Sequence, residues 1–173
     1  LRRLDGEADF RRLAGTEGAN ASPTFSPDSR SLAFRRAGDG ALVKVDVGGA
    51  SATVIARLGT EIGSYLHWGT ADQIVYSGGP QGLSRVAAVG GSPELLKKTR
   101  GAARHSFLLP DGSGVLFSTS AGLMVLDFRT DSATMLVPGA VHPTYVESGD
   151  ILFIAEGGLF AIPFDIRNHS ITG

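Results

Sequence analysis

The sequence predicts an all-β fold built from a tandem unit of about 40 residues, and three observations support it. A motif of aromatic, Pro, Asp, Gly and Ser residues recurs four times along the 173 residues. Short segments of alternating polarity follow each copy, separated by glycine-rich turns. Glycine is abundant, with 24 residues, whereas helical periodicity is nearly missing.

The recurring unit is clearest in the segment FSPDSRSLAF at residues 25–34. Each copy ends on an aromatic residue, and the spacings between these aromatics are 42, 41 and 36 residues. The four aromatics are Phe34, Tyr76, Phe117 and Phe153. A period near 40 is typical of β-propeller blades, each of which is a four-stranded sheet. We therefore expect a β-propeller with four near-complete four-stranded blades plus the outer half of another.

Each unit divides into four short strands in a fixed order. The first strands are predicted to end near Phe25, Trp68, Leu108 and Tyr145, each before a turn. Second strands are predicted at Ser31–Arg35 and Val115–Thr119, third strands at Ala41–Val47, Leu83–Val89, Leu123–Phe128 and Leu159–Phe164, and a fourth at Ala52–Leu58. Ser92 and Pro93 could begin a helical turn, but their place in the repeat favours a fourth strand.

The repeat also predicts where blades begin and end. Residues 1–20 are expected to form outer strands of a preceding blade, and residues 21–59, 60–100, 101–139 and 140–173 one blade each, the last without its full outer strand. All belong to one propeller domain, which we expect to be part of a larger propeller or to be closed by a partner chain. Open blade edges expose unpaired backbone groups, so an edge-mediated homo-oligomer is a further expectation.

The segment at residues 25–34 resembles the FSPDGRxLAF blade motif of TolB-like propellers, which are related to WD-repeat proteins. The sequences HPTY at 142–145 and GLFAIPFD at 158–165 are similar to propellers attached to bacterial serine/threonine kinases. The resemblance covers nearly the whole chain and implies a sensory or scaffold portion of a larger bacterial protein. Ser29 stands where these motifs usually have Gly, Leu108 stands where an aromatic is usual, and no kinase motif is present.

Composition excludes several classes of function. Lys and Arg total 16 against 17 Asp and Glu, so the basic excess that favours nucleic acid or anionic membranes is missing. The chain has no cysteine, which excludes disulfides, thiol nucleophiles and cysteine-bound zinc. Neither a membrane helix nor a signal peptide is predicted. The compartment stays open, with a periplasmic or extracytoplasmic location slightly favoured.

Aligned repeats place His105 and His142 at the position of Ser22 and Tyr65, where the first strand starts, and His67 lies two residues further along its own unit. First strands line the channel of a propeller, so these five residues are predicted to line it. They could form a polar binding ring or a zinc site. We expect instead that each histidine packs locally against the next blade with one hydrogen bond, because a channel should hold them far apart and no carboxylate accompanies them. The sequence therefore predicts no metal and no cofactor.

No catalytic residue is predicted. The Gly-x-Ser-x-Gly elbow is missing, and Asp28 and Asp111 each belong to the turn of a different blade. Trp68 occupies the aromatic position of its unit and is expected in the core. We therefore predict a non-catalytic module that binds a protein, peptide or small ligand on its loop face or channel. An accessory propeller that gates a prolyl-peptidase-like hydrolase, or a TolB-like envelope docking protein, remain alternatives.

Overall fold

The computed structural model describes residues 12–20, 23–48, 51–59, 65–78, 82–97 and 102–173. Strands account for all the regular structure in these residues, which contain no helix, so the all-β prediction is confirmed. The strands in chain order are β1 (Thr24–Phe25), β2 (Ser31–Arg35), β3 (Ala41–Asp46), β4 (Ala52–Arg57), β5 (Leu66–Trp68), β6 (Gln73–Gly78), β7 (Gly82–Ala87), β8 (Glu94–Lys97), β9 (Arg104–Leu108), β10 (Gly114–Ser118), β11 (Gly122–Asp127), β12 (Ser132–Pro138), β13 (Val141–Tyr145), β14 (Asp150–Ala155), β15 (Gly158–Asp165) and β16 (Ser170–Ile171).

Consecutive strands pair antiparallel into four sheets, in the orders β1-β2-β3-β4, β5-β6-β7-β8, β9-β10-β11-β12 and β13-β14-β15-β16. We call these sheets blades 1 to 4. The first strands of successive blades contact each other, β1 with β5, β5 with β9 and β9 with β13. This arrangement places the first strands on the inner side and the fourth strands on the outer side, as in a propeller.

The core lies between the blades. Leu116 and Leu123 of blade 3 pack with Ile151 and Phe153 of blade 4, and similar clusters join blades 1 and 2 and blades 2 and 3. All five residues of β10 are buried because blade 3 has a neighbour on both faces. Trp68 is 5% exposed, which confirms its predicted place in the core.

The predicted strands are confirmed with small shifts at their ends. Residues 94–97 form β8, so the prediction of a strand rather than a helical turn is correct. Residues 1–11 and Ser22 lie outside the described residues, and with them most of the predicted preceding blade and one predicted channel residue. No described segment forms a helix that is long and apolar enough to span a membrane.

The aspartates of the first turns have the structural role expected of them. Asp28 accepts hydrogen bonds from the Ser26 hydroxyl and the Arg30 backbone N–H, and these bonds lower the pKa of its carboxyl. Asp111 accepts from the backbone and the hydroxyl of Ser113. Such side-chain to backbone bonds fix the turns between first and second strands.

Candidate functional site

His105 and His142 occupy the same place in blades 3 and 4, near the starts of β9 and β13. Both backbones have positive φ, 50° and 56°. At each histidine two residues of the first strand lie opposite one residue of the second, which is a β-bulge. A bulge re-aims a side chain, and positive φ costs a non-glycine residue about 1 to 2 kcal/mol. Strand β5 of blade 2 pairs without a shift.

The two bulges bring three rings together. The His105 and His142 ring centroids are 3.4 Å apart, and those of Tyr65 and His105 are 3.9 Å apart. The rings of Tyr65 and His142 are edge-on to each other, with centroids 6.2 Å apart. The expectation that the channel holds these residues far apart is therefore wrong. First strands of adjacent blades touch, and the bulges turn both imidazoles into the space between them.

The hydrogen bonds around His105 favour one tautomer of its ring. The Ser118 hydroxyl donates to the Arg104 carbonyl at 3.2 Å, so its oxygen is left to accept from His105 Nδ1 at 2.9 Å. On this basis we assign the ring proton to Nδ1 and the lone pair to Nε2. The Nε2 atom is buried and finds no hydrogen-bond partner among the described residues. Burial, then the nearby His142 and Arg104, lower the pKa of His105 to about 4.

His67 has a different environment. Its Nδ1 accepts a hydrogen bond from the Leu108 backbone N–H at 3.0 Å, which requires a neutral ring. The ring stacks on Phe107 with centroids 4.0 Å apart, and burial lowers the pKa of His67 to about 4. Thr24 makes the equivalent bond one blade earlier, where its hydroxyl accepts from the Trp68 N–H at 3.0 Å. His67 thus packs locally against the next blade.

An open cleft of about 200 Å³ lies over these side chains, and we call it the inner cleft. Its walls come from the first strands of blades 2, 3 and 4, and its lining residues include Tyr65, His67, His105, Phe107, His142 and Thr144. A second cavity of about 270 Å³ lies between blades 3 and 4 and is lined in part by Arg104, Ser118 and the same His105. His105 therefore borders both spaces.

Ser118 is the member of this site that the sequence did not signal. It is 1% exposed at the end of β10, a strand otherwise made of Gly, Val, Leu and Phe. A lone hydroxyl that ends a strand buried on both faces must find a partner inside the protein, and that is the signal that could have drawn attention to it. The described residues contain no group of three or more His, Asp or Glu side chains placed to hold a metal ion.

No family model and no curated protein matches the sequence, whereas many solved structures match the fold. One is TolB from Acinetobacter baumannii, with 17% identity and a TM-score of 0.61 over 89% of this chain and 45% of that one. The chain therefore has a β-propeller fold similar to that of TolB. An oligogalacturonate lyase in complex with manganese matches at 15% identity and a TM-score of 0.64, over 89% of this chain and 52% of that one.

A third similar structure is the nidogen/laminin complex, with 10% identity and a TM-score of 0.61 over 82% of this chain and 63% of that one. The chain thus spans between 45 and 63% of the length of these three structures. Identities this low establish a shared fold and no shared activity. The similarity to kinase-attached propellers stays a prediction.

The propeller also holds a Ser–His–Asp series that no motif in the sequence signals. Ser113 Oγ is 2.7 Å from His169 Nε2, and His169 Nδ1 is 3.4 Å from Asp127 Oδ2. His169 is only 7% exposed, and its Nδ1 has no hydrogen bond that satisfies the geometry. The Ser113 hydroxyl and N–H also both engage Asp111. The series therefore fastens a turn of blade 4 to blade 3. The Ser113 hydroxyl donates to Asp111, whereas a serine nucleophile would donate to its histidine.

Proposed function

We propose that this chain is a non-catalytic binding or scaffold module of a larger bacterial protein, and that its ligand docks in the inner cleft. The observation that carries the proposal is the pair of bulges at His105 and His142. Two equivalent backbones adopt strained conformations, and both bring their rings to the cleft beside Tyr65. Strained residues cluster at ligand sites, where the strain serves to place a functional group.

The chemistry of the cleft narrows the ligand. Its described lining contains no Asp, Glu, Lys or Arg, so it offers no strong charge to a ligand. It offers flat rings for stacking and, from Tyr65 and Thr144, hydroxyl groups for hydrogen bonding. A peptide segment with an aromatic or amide group, or a small polar molecule of similar character, meets both requirements.

Two observations favour binding over catalysis. The turn aspartates Asp28 and Asp111 are separated by a blade, and the Ser113 hydroxyl donates to Asp111 and not to His169. One of the similar structures is a lyase, so the propeller fold alone does not distinguish a binding module from an enzyme. The nidogen/laminin structure is a complex of two proteins, which supports a protein partner. Gating of a hydrolase and docking in the cell envelope are the rival functions, and an extracytoplasmic location and edge-mediated association remain proposals.

Selection of peptides on the wild-type chain tests the proposal. A phage-displayed random library is panned on the immobilised protein, and the enriched peptides are measured by interferometry on Tyr65→Ala and His142→Ala. We expect both variants to weaken binding at least tenfold. Phe160→Ala is the matched control, because Phe160 is an aromatic residue 44% exposed outside the cleft. Peptides that depend on Phe160 and not on Tyr65 would overturn the proposal, as would a library without enriched peptides.

A further inference from the structure

The orientation of His105 resembles that of a histidine prepared to bind a cation. Its Nδ1–H donates to the Ser118 hydroxyl, and that hydroxyl is held by the Arg104 carbonyl. A hydrogen bond from the second ring nitrogen is what fixes the tautomer and direction of a metal-binding histidine. The other nitrogen, Nε2, then presents its lone pair away from Ser118. That atom is buried and has no partner among the described residues, which is a costly state for a polar group.

A second imidazole, that of His142, lies over the face of the His105 ring. The His142 ring centroid is 3.4 Å from that of His105, with 34° between the ring planes. The Nε2 lone pair lies in the plane of the His105 ring, so His142 must leave this stacked position for one of its nitrogens to face the same point. The His142 side chain is exposed and can rotate in this way. His142 lies on a β-bulge of blade 4 that is equivalent to the bulge at His105 in blade 3. The same backbone irregularity therefore positions both histidines.

We propose that His105 Nε2 and His142 together bind a divalent transition-metal ion in the inner cleft. Imidazole nitrogen suits zinc, nickel and copper, whereas magnesium and calcium sites are built largely on carboxylates, which the described lining of the cleft lacks. Two protein ligands leave positions open for water or for a group of a docked ligand. This proposal goes against the expectation of no metal drawn from the sequence.

Calorimetric titration of the chelator-treated chain with zinc chloride tests the proposal. We expect one zinc per chain, and at least tenfold weaker binding in His105→Asn and in His142→Asn. Asparagine suits these positions because it is enriched at positive φ, so both backbones should be retained. Magnesium chloride is the negative control ion and should show no heat of binding.

His169→Asn is the matched control variant. His169 also has positive φ, 51°, and lies outside the inner cleft. Its zinc affinity should stay within twofold of the wild type, provided that thermal melting shows a folded protein. A wild-type chain without zinc binding, or equal losses in all three variants, would overturn the proposal.

Ser118 is a positioning residue in this scheme. Ser118→Ala removes the acceptor that holds Nδ1–H, and loss of such a partner costs roughly 10- to 100-fold in metal affinity. Ser118→Thr keeps the hydroxyl and should restore most of the affinity. A merely structural role of Ser118 would change the melting temperature without changing the zinc affinity. The metal proposal is independent of the peptide proposal, since either measurement can fail while the other succeeds.

Discussion

Blades 3 and 4 carry the same apolar face of the repeat, and within the described residues only blade 3 has a neighbour on it. The strand registers align Leu116, Leu123 and Val125 of blade 3 with Leu152, Leu159 and Ala161 of blade 4. Leu123 is 0% exposed under blade 4, whereas Leu159 is 74% exposed. In a repeat protein, the contribution of a side chain to stability therefore depends on whether a neighbouring repeat covers it, and not only on the type of residue.

Truncation of the two aligned leucines tests this comparison most directly, and it should give the largest effect. Leu123→Ala removes a fully buried side chain between two sheets, so we expect a loss of about 2 to 5 kcal/mol in the free energy of unfolding. Leu159→Ala removes an exposed one and should change it by less than about 0.5 kcal/mol. Urea unfolding monitored by circular dichroism gives both values.

The same experiment shows whether the exposed face of blade 4 is free in solution. If Leu159→Ala costs as much as Leu123→Ala, something covers that face. Unfolding is then repeated at several protein concentrations. If a second copy of the chain covers the face, the loss depends on concentration, whereas if a segment of the same chain covers it, the loss does not. Either result would contradict the description of blade 4 as unpartnered on this face.

The second comparison is between the bonds that join successive first strands. Thr24 and His67 accept from the next blade in the same way, but only His67 titrates. The pKa of His67 is lowered from 6.5 to about 4, so between these values the unfolded chain binds a proton that the folded chain does not. Stability is therefore full above about pH 6.5 and should fall by up to about 3 kcal/mol as the pH approaches 4.

His67→Thr turns the second junction into a copy of the first. Threonine keeps an acceptor for the Leu108 N–H and suits a strand, but it has no proton to gain. We expect the variant to lose stability less steeply than the wild type between pH 6.5 and 4. Other groups titrate in both proteins and cancel in the difference. Parallel pH profiles would show that the His67 ring protonates freely in the folded chain.

Local chemistry allowed much of this fold to be predicted. The first strands end where predicted, at Phe25, Trp68, Leu108 and Tyr145, because turn residues follow each of them. The strand at residues 94–97 was also predictable, although Ser92 and Pro93 suit a helix start, because the period of the repeat outweighs local propensity. Repetition supplies the long-range information that a single strand lacks.

The site was less predictable, and the reason lies in the backbone. The alignment placed Tyr65, His105 and His142 at one position, but not in contact. Their contact depends on two β-bulges, and a histidine with positive φ has no signal in the sequence. Pro143 even points the other way, because the residue before a proline favours an extended backbone. Ser118 was missed because it lies on a different strand from the histidine that it orients.

We expect the smallest difference in stability between two variants at the last turns of blades 3 and 4, where each turn contacts the preceding blade. Asp131 and His169 occupy the same place after the third strand, and both have φ of 51°. Asp131 forms a largely exposed ion pair with Lys97 of blade 2, whereas His169 is buried against Ser113 and Asp127 of blade 3. The two turns therefore make the same junction, one through an exposed ion pair and one through a buried side chain.

Alanine at either position brings the same backbone strain, so the difference between the two variants isolates the contacts. An exposed ion pair contributes about 0 to 1 kcal/mol, whereas loss of a buried polar partner costs about 1 to 3 kcal/mol. His169→Ala should therefore unfold at a lower urea concentration than Asp131→Ala. If the two variants unfold together, burial does not set the strength of this junction, and the rule drawn from Leu123 and Leu159 does not extend from apolar side chains to polar ones.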